Sequence, residues 1–413
     1  MNDDSENKTI VIVTNTMLFP ARRNGASVRY YPVVNELINR GYKVDLIILN
    51  RYFEKYSKDD LVKAQQIYRS VDIIDTKTST LSLTENLVLK ASNFIKLLSP
   101  FGIPYCLIEN NKQHYLFELE NILKNKKTYR YGIGVGIGGN NAVFLNELSP
   151  ETKPKAIVCD FIDSVYLLQQ RSPKTFLKSI NPLTLLENSK TRRWEKHLSS
   201  LFNCIYISKE DANACDSHAT IIPNCVVADD FEEAESCQLA SPNIGFIGNM
   251  EYQPNVEACL TLCEDIFPAL VKNNPDAHLY IIGRNPSDSL LDFKHHPNIH
   301  ITGKVDNIWS YIKSIDIFVF PITSGAGLQN KVLEAMYAEK PVICSAIANE
   351  GIAAIDNEHL YIAETTEDYI ALIEKLFAAE NTIGENAKKF IDEHFSTKKN
   401  TDAFEKTLNI RHL

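Results

Sequence analysis

The sequence predicts an α/β protein of two doubly wound domains, each built on a parallel sheet. Short apolar runs alternate with amphipathic helical stretches almost from end to end, which is the pattern of strand–helix–strand units. The 413 residues exceed one domain of ordinary size and suit two. Between Pro223 and Pro242 the periodicity fails, and Asp229, Asp230, Glu232, Glu233 and Glu235 crowd together as in a linker. The predicted division is 1–225, a linker at 226–242, a second domain at 243–395, and a closing helix at 396–413 with a return to the first domain open to it.

In the first domain, Thr9 to Val13 reads as a buried strand and Val28 to Asn39 as a helix stopped by Gly41. Val44 to Leu49 and Val71 to Ile74 read as strands, and Glu85 to Leu98 and His114 to Leu123 as helices. Gly132 to Gly138 alternates glycine with apolar residues, Ala156 to Cys159 is a short strand, and about Lys174 to Ser200 a long charged helix. After a strand at Cys204 to Ile207, Ser208 caps a helix with Asp211 at its third position. In the second domain the predicted strands are Ile244 to Ile247, His278 to Ile282, Ile299 to Ile301, Ile317 to Phe320 and Pro341 to Cys344. Helices near Glu367 to Leu376, Glu385 to Phe395 and Thr401 to Asn409 follow. Ligands of such sheets bind at the carboxyl ends of the strands. Two such edges facing each other would make a cleft.

Composition excludes several classes. A net charge of −9 offers no basic footprint for nucleic acid. The nine cysteines are scattered and odd in number, and the closest pair, Cys259 and Cys263, is not a CxxC. A disulfide framework and a zinc site are both poor readings, and a reducing cytoplasm is the expected compartment. Asp3, Asp4 and Glu6 stand where a secretory leader would be basic. No apolar run reaches the length of about 20 that spans a bilayer. Any membrane contact would be peripheral, on the inner face.

One segment carries more chemistry than the rest. The strand Ile317 to Phe320 is followed by a glycine-bearing loop and then a helical stretch, GLQNKVLEAM, from Gly327 to Met336. A helix beginning near Gly327 or Leu328 would aim free N–H groups and its positive dipole end at a ligand, which makes an anion site. Glycine allows close backbone approach to a phosphate. Lys331 adds a point charge, and Glu334 offers a carboxylate able to accept hydrogen bonds from two vicinal hydroxyls.

The run GLQNKVLEAMYAEKPVICS, with NEGI after it, resembles the donor-binding signature of family 4 glycosyltransferases. Ile244 to Gly248 with Pro254-Asn255, and Leu279 to Pro286, resemble further stretches of the same family, and the likeness covers about Ile244 to Phe395. In the first domain the likeness is weaker and rests on PARRNGASVR, Pro20 to Arg29. The resemblance implies the GT-B fold, two Rossmann-like doubly wound domains facing across a cleft. It implies metal-independent transfer of a sugar from a UDP- or GDP-sugar to a hydroxyl with retention of configuration. The nucleotide sugar would be a substrate, and no cofactor is expected.

On that resemblance Gly327, Leu328, Gln329, Asn330 and Lys331 cradle the phosphates and Glu334 binds the ribose. Gly25, Gly248, Asn249, Arg284, Gly303 and Val305 belong to the donor-binding loops. Asp163, at a strand end, is placed to position an acceptor hydroxyl or to cap the next helix, and is taken with Lys331 and Glu334 as catalytic. Two departures stand out. Ala326 occupies the place of a glutamate common eight residues before Glu334. Asn249 to Gln253 has no cation where an Arg and a Lys are common. Arg284 and Lys331 are therefore expected to supply the charge. The combination of GLQNKVLEAM with GRNP is similar to sugar transferases of exopolysaccharide synthesis. The expected acceptor is a saccharide, lipid-linked, in bacterial surface polysaccharide synthesis. Two alternatives are a nucleotide-sugar epimerase of the same fold and a non-catalytic nucleotide-sugar-binding partner.

Weaker signals have plainer readings beside them. Gly134, Gly136 and Gly139 satisfy GxGxxG, but late in the domain, where a glycine-rich strand ending in a cleft-facing loop beside the acceptor explains them better. From Arg171 to His197 cations outnumber anions, which suits either anionic lipid or a solvated helix face. Leu87 to Leu98 suits a bilayer surface or the core. His295, His296 and His300 cluster without a third ligand type at metal spacing.

Overall fold

The computed structural model describes residues 8–20, 23–51, 54–76, 92, 99, 103–126, 129–171, 182–215, 219–226, 228, 231–324, 327–379 and 381–410. The chain forms two compact units. One comprises 1–227 with 397–413, the other 228–396.

The first unit holds a seven-stranded sheet. Its strands are β1 (Thr9–Thr14), β2 (Lys43–Asn50), β3 (Ser70–Asp75), β4 (Tyr131–Val135), β5 (Ala156–Asp160), β6 (Asn203–Tyr206) and β7 (Thr220–Ile221). Their order is β3-β2-β1-β4-β5-β6-β7, and every pairing is parallel. The second unit repeats the winding with β8 (Asn243–Ile247), β9 (His278–Ile282), β10 (Ile299–Gly303), β11 (Ile317–Phe320), β12 (Val342–Cys344) and β13 (Tyr361–Ile362), in the order β10-β9-β8-β11-β12-β13. Each sheet reverses direction of winding once, between β1 and β4 and between β8 and β11. Those two crevices are where doubly wound sheets hold ligands.

Parallel strands are covered on both faces, so their residues are apolar without alternation. β1 is buried along its whole length, as are β4, β8 and β11. The central helix Gly25–Asn39 is started by a reciprocal cap between Asn24 and Ser27. It buries Tyr30, Val33, Val34 and Leu37. The helix Thr397–Leu408 packs Phe404 edge-on against Tyr30, with centroids 5.7 Å apart, and so belongs to the first unit. Gly134 lets the helix Asn140–Asn146 rest on β4, since an added Cβ would lie 2.1 Å from the Ala142 nitrogen. Gly134 thus serves packing, while Gly136 stands at the carboxyl end of β4, in a cavity wall.

Several expectations need adjustment. Residues from Phe231 onward are no free linker: Phe231 packs edge-on against Trp309 and Tyr337 at 5.0 and 5.2 Å, and Lys313 donates to the Ala234 carbonyl at 2.8 Å. An aromatic anchor made that acidic stretch part of the second unit. The long charged helix expected at about Lys174 to Ser200 is present as Pro182–Leu201, its expected first turns, 174–181, lying outside the described residues, and a separate short helix, Val165–Arg171, precedes it. Lys190, expected on a solvated basic strip, is buried and pairs with Glu187 at 2.6 Å. The helix expected at Glu85 to Leu98 lies, apart from Ser92, outside the described residues, and so do Asp229, Asp230 and Ala326. All nine cysteines are free thiols. Among the described residues no helix is long and apolar enough to cross a membrane.

Candidate functional site

The carboxyl ends of β8 and β11 gather the residues singled out above. The helix after β11 spans Asn330–Tyr337, with Gln329 as its cap residue. It therefore starts about three residues later than expected. Gly327 has φ +77°, a left-handed conformation that keeps Gly327 to Gln329 in the loop. Gly351 of the NEGI segment lies against this loop, where an added Cβ would come within 3.1 Å of the Gly327 carbonyl oxygen. Asn349 is buried and fixes that segment through two hydrogen bonds to the Ala354 backbone, at 2.8 and 3.0 Å.

Lys331 lies in the first turn and is partly buried. Its Nζ donates to Asn255 Oδ1 at 2.9 Å and to Gln329 Oε1 at 2.8 Å, and sits 5.7 Å from the centre of the Phe246 ring. Burial pushes its pKa down to about 8, against the opposing pull of Cys259 and Glu334. Asn255 also donates to the Asn249 carbonyl at 2.8 Å, so one buried amide joins the loop after β8 to the helix after β11. Ser324 donates to Glu257 at 3.2 Å, a second tie between the same elements.

Gly248 and Gly283 meet at the ends of β8 and β9. A Cβ on Gly283 would lie 1.7 Å from the Gly248 carbonyl oxygen, so no side chain fits there. Met250 N donates to the Arg284 carbonyl at 3.1 Å and holds the two loops together. The Arg284 side chain is exposed and has no ion-pair partner among the described residues. Asn249 bonds Glu251 at 3.2 Å. Gly303, at φ +68°, ends β10, and Val305 follows it, partly buried. Gly248, Asn249, Arg284 and Gly327 to Glu334 thus share one edge of one sheet.

Gly25 and Asp163 belong to the first unit. Gly25 is exposed at the first turn of its helix with open space around its Cα. Arg29, one turn into that helix, is buried and pairs with Asp160 at 2.9 Å, and Tyr30 donates to the same carboxylate at 2.7 Å. Asp160 also accepts from Ile162 N at 2.9 Å, and Ile162 is held at φ +65°. Asp163 follows this constrained turn. Its pKa is pushed up to about 7, by burial first and then by the nearby Asp211 charge, with Arg29 opposing and Asp160 adding. Capping of the next helix falls to other residues: Glu195 accepts from Val165 N at 2.7 Å, and Asp211 from Ser164 N at 2.8 Å.

A cavity of about 520 Å3 opens at the carboxyl edge of the first sheet, between Thr14 to Thr16 after β1 and Val135 to Ile137 after β4. Ile162 reaches its wall. Asn15, Asn24 and Asn140 give it amides, and Arg51, Glu54 and Glu109 give it charges. Arg51 pairs with Glu109 at 2.9 Å, and Glu54 accepts from Thr16 at 3.1 Å. The sequence reading missed this wall, and it named Asn255 only as part of the family likeness, with no role in holding Lys331. Most of the wall residues stand near a strand end or a helix start, a position that shows only once the strands are placed side by side in the sheet. His295 and His296 are exposed, as a solvated loop requires. His300 instead stacks on Tyr280, and its Nε2 lies 3.1 Å from His278 Nδ1. Among the described residues no group of three metal-binding side chains converges.

Residues 241–379 match the family described as Glycosyl transferases group 1. A curated relative, an uncharacterized 44.6 kDa protein in the cps region of Klebsiella pneumoniae, is 26% identical over 217 residues, 50% of this chain and 56% of the relative. The match thus spans about half the length of that relative. Two solved structures share the whole fold. Anabaena HepE, solved with UDP and glucose, has a TM-score of 0.61 at 13% identity and covers 97% of this chain and 99% of its own. A variant of S. aureus TarM, solved with fondaparinux, alpha-GlcNAc-glycerol and UDP, has a TM-score of 0.66 at 13% identity and covers 98% and 100%. The fold is that of GT-B glycosyltransferases, two Rossmann-like parallel sheets. Over residues 241–379 the second unit resembles a group 1 glycosyltransferase domain.

Proposed function

We propose that this protein is a retaining glycosyltransferase that moves a sugar from a nucleoside diphosphate sugar, UDP-linked in first choice, to a saccharide acceptor in surface polysaccharide synthesis. The carrying observation is the Gly327–Glu334 loop and helix start at the β8/β11 crevice, with Lys331 held by two neutral amides. The family match over this unit and the UDP in both structural neighbours support the reading. The relative from a cps region supports the pathway.

In this reading the backbone N–H groups at the start of the Asn330–Tyr337 helix, with Lys331 and Arg284, neutralise the diphosphate as it leaves. The cations are already in place, so transfer proceeds without a bound metal. Glu334 accepts hydrogen bonds from the ribose hydroxyls. The leaving diphosphate takes the acceptor proton on the face of the sugar that it departs from. The cavity of the first unit takes the saccharide, and Asp163 orients its hydroxyl. The acceptor is lipid-linked in the polymer pathway proposed here, and the protein works at the inner membrane face.

The test is a thermal-shift and calorimetric screen of UDP, GDP and CMP with wild type and Lys331→Ala. Stabilisation by a nucleoside diphosphate that the variant loses is the expected result. A subsequent assay with UDP-sugars and saccharide acceptors in EDTA should give a product of retained anomeric configuration. Equal nucleotide binding by the variant would remove the basis of the proposal.

A further inference from the structure

On the opposite, amino-terminal edge of the first sheet lies a second cavity, of about 560 Å3. The sugar-transfer reading makes no use of it. Its lining includes Arg130, Lys153 and Lys155 and no carboxylate. The arrangement follows from the fold. Tyr131 and Ala156 are register partners, so Arg130 and Lys155 stand side by side where β4 and β5 begin. Backbone bonds from Lys155 N to Tyr129 O at 3.2 Å and from Ala156 N to Arg130 O at 3.1 Å lock that pairing. Pro154 is buried against Gly132, where an added Cβ would lie 2.8 Å from its ring. Lys153 N bonds Ser149 O at 2.9 Å. The Lys-Pro-Lys segment is therefore held rigidly with a cation on each side of an anchored proline.

Among the described residues none of the three cations has an ion-pair partner. Several other cations of the same unit are matched: Arg40 meets Glu36, Asp402 and Glu405, Arg69 meets Asp45, and Lys126 meets Asp72. A chain of net charge −9 has carboxylates to spare, yet places none here. Three like charges around one concavity repel each other unless an anion joins them. The volume is that of a small-molecule site. Leu201 and Ile410 at its wall are 47% and 44% exposed, so apolar surface adjoins the positive charge.

We propose that this cavity binds a phosphate-bearing anion, away from the donor loop. The chemistry is shared by a soluble phosphate ester and by an anionic phospholipid headgroup, and the experiment separates them. The full-length protein is titrated calorimetrically with glycerol 3-phosphate at low salt, and separately floated with phosphatidylglycerol-containing or pure phosphatidylcholine vesicles. Each is repeated with the Arg130→Ala/Lys153→Ala/Lys155→Ala variant and with Lys153→Arg/Lys155→Arg, after matching melting temperatures. Binding of either anionic probe that falls about tenfold or more in the alanine variant, survives in the arginine variant and weakens with salt supports the site. Glycerol phosphate binding identifies a soluble ester, and flotation on phosphatidylglycerol alone identifies a headgroup. Binding of neither probe, or undiminished binding by the alanine variant, overturns the proposal.

Discussion

The lowered pKa of Lys331 makes nucleotide affinity a function of pH in a stated direction. In the free protein its ammonium titrates at about 8. A bound diphosphate supplies the negative charge that the site lacks and raises that value again. Binding then selects the protonated form, and affinity is lost as pH rises through the free-protein pKa. The protonated fraction falls from about 0.9 near pH 7 to about 0.03 near pH 9.5, so the Kd for UDP should rise roughly 30-fold over that range. Near pH 8.5 each UDP bound should take up about 0.75 proton, visible as a calorimetric enthalpy that changes with the ionisation heat of the buffer. Lys331→Arg keeps its charge throughout and should flatten the pH dependence, while Lys331→Met should bind weakly and without slope. An affinity constant from pH 7 to pH 9.5, with no proton uptake, would refute the coupling of this lysine to the diphosphate.

Three further outcomes are expected. Glu334→Ala should weaken UDP binding about tenfold and narrow the preference for UDP over 2′-deoxy-UDP, because it removes a charge-assisted bond to ribose; binding assays with both ligands measure it. Asp163 ionises at about 7 when folded against 3.8 for an ordinary aspartate. The folded state therefore holds a proton that the unfolded state has lost, and stability is full below about 4 and falls until about pH 7, by at most about 4 kcal/mol. Asp163→Asn should raise the melting temperature at pH 8 relative to wild type and leave it nearly unchanged near pH 4. Gly283→Ala forces apart backbones that meet at Gly248, and should cost about 3 kcal/mol in denaturant unfolding.

How much of this was legible depends on the range over which each feature is encoded. The strands His278–Ile282 and Ile317–Phe320 match their sequence reading at both ends, because a parallel strand covered on both faces is one continuous apolar run. The start of the Asn330–Tyr337 helix was misplaced because Gly327 can continue a loop or begin a helix, and only its φ of +77° decides. The acidic stretch before β8 read as a linker because charge density hid the single anchor, Phe231. The wall of the first-unit cavity was invisible for a different reason. Asn15, Asn24, Arg51 and Asn140 come from separate strand ends and helix starts, and no local pattern links them.

The missing Arg/Lys pair after β8 gains a physical account from this geometry. In its place stands Asn255, whose amide oxygen holds the Lys331 ammonium and whose amide nitrogen holds the Asn249 carbonyl. Gln329, the second partner of Lys331, is likewise neutral. Two amide dipoles orient the cation without cancelling its charge, whereas a carboxylate bonded in their place would have neutralised it. The cost is visible as the depressed pKa: a partly buried ammonium whose hydrogen-bond partners are dipoles lacks full compensation for its lost hydration. An arriving diphosphate provides that compensation, and more strongly as charge builds on the leaving oxygen. On the proposed sugar transfer, Lys331 would stabilise the departing group more than the intact donor. The kinetic signature of that difference is a Lys331→Ala variant whose kcat falls by a larger factor than its KM rises.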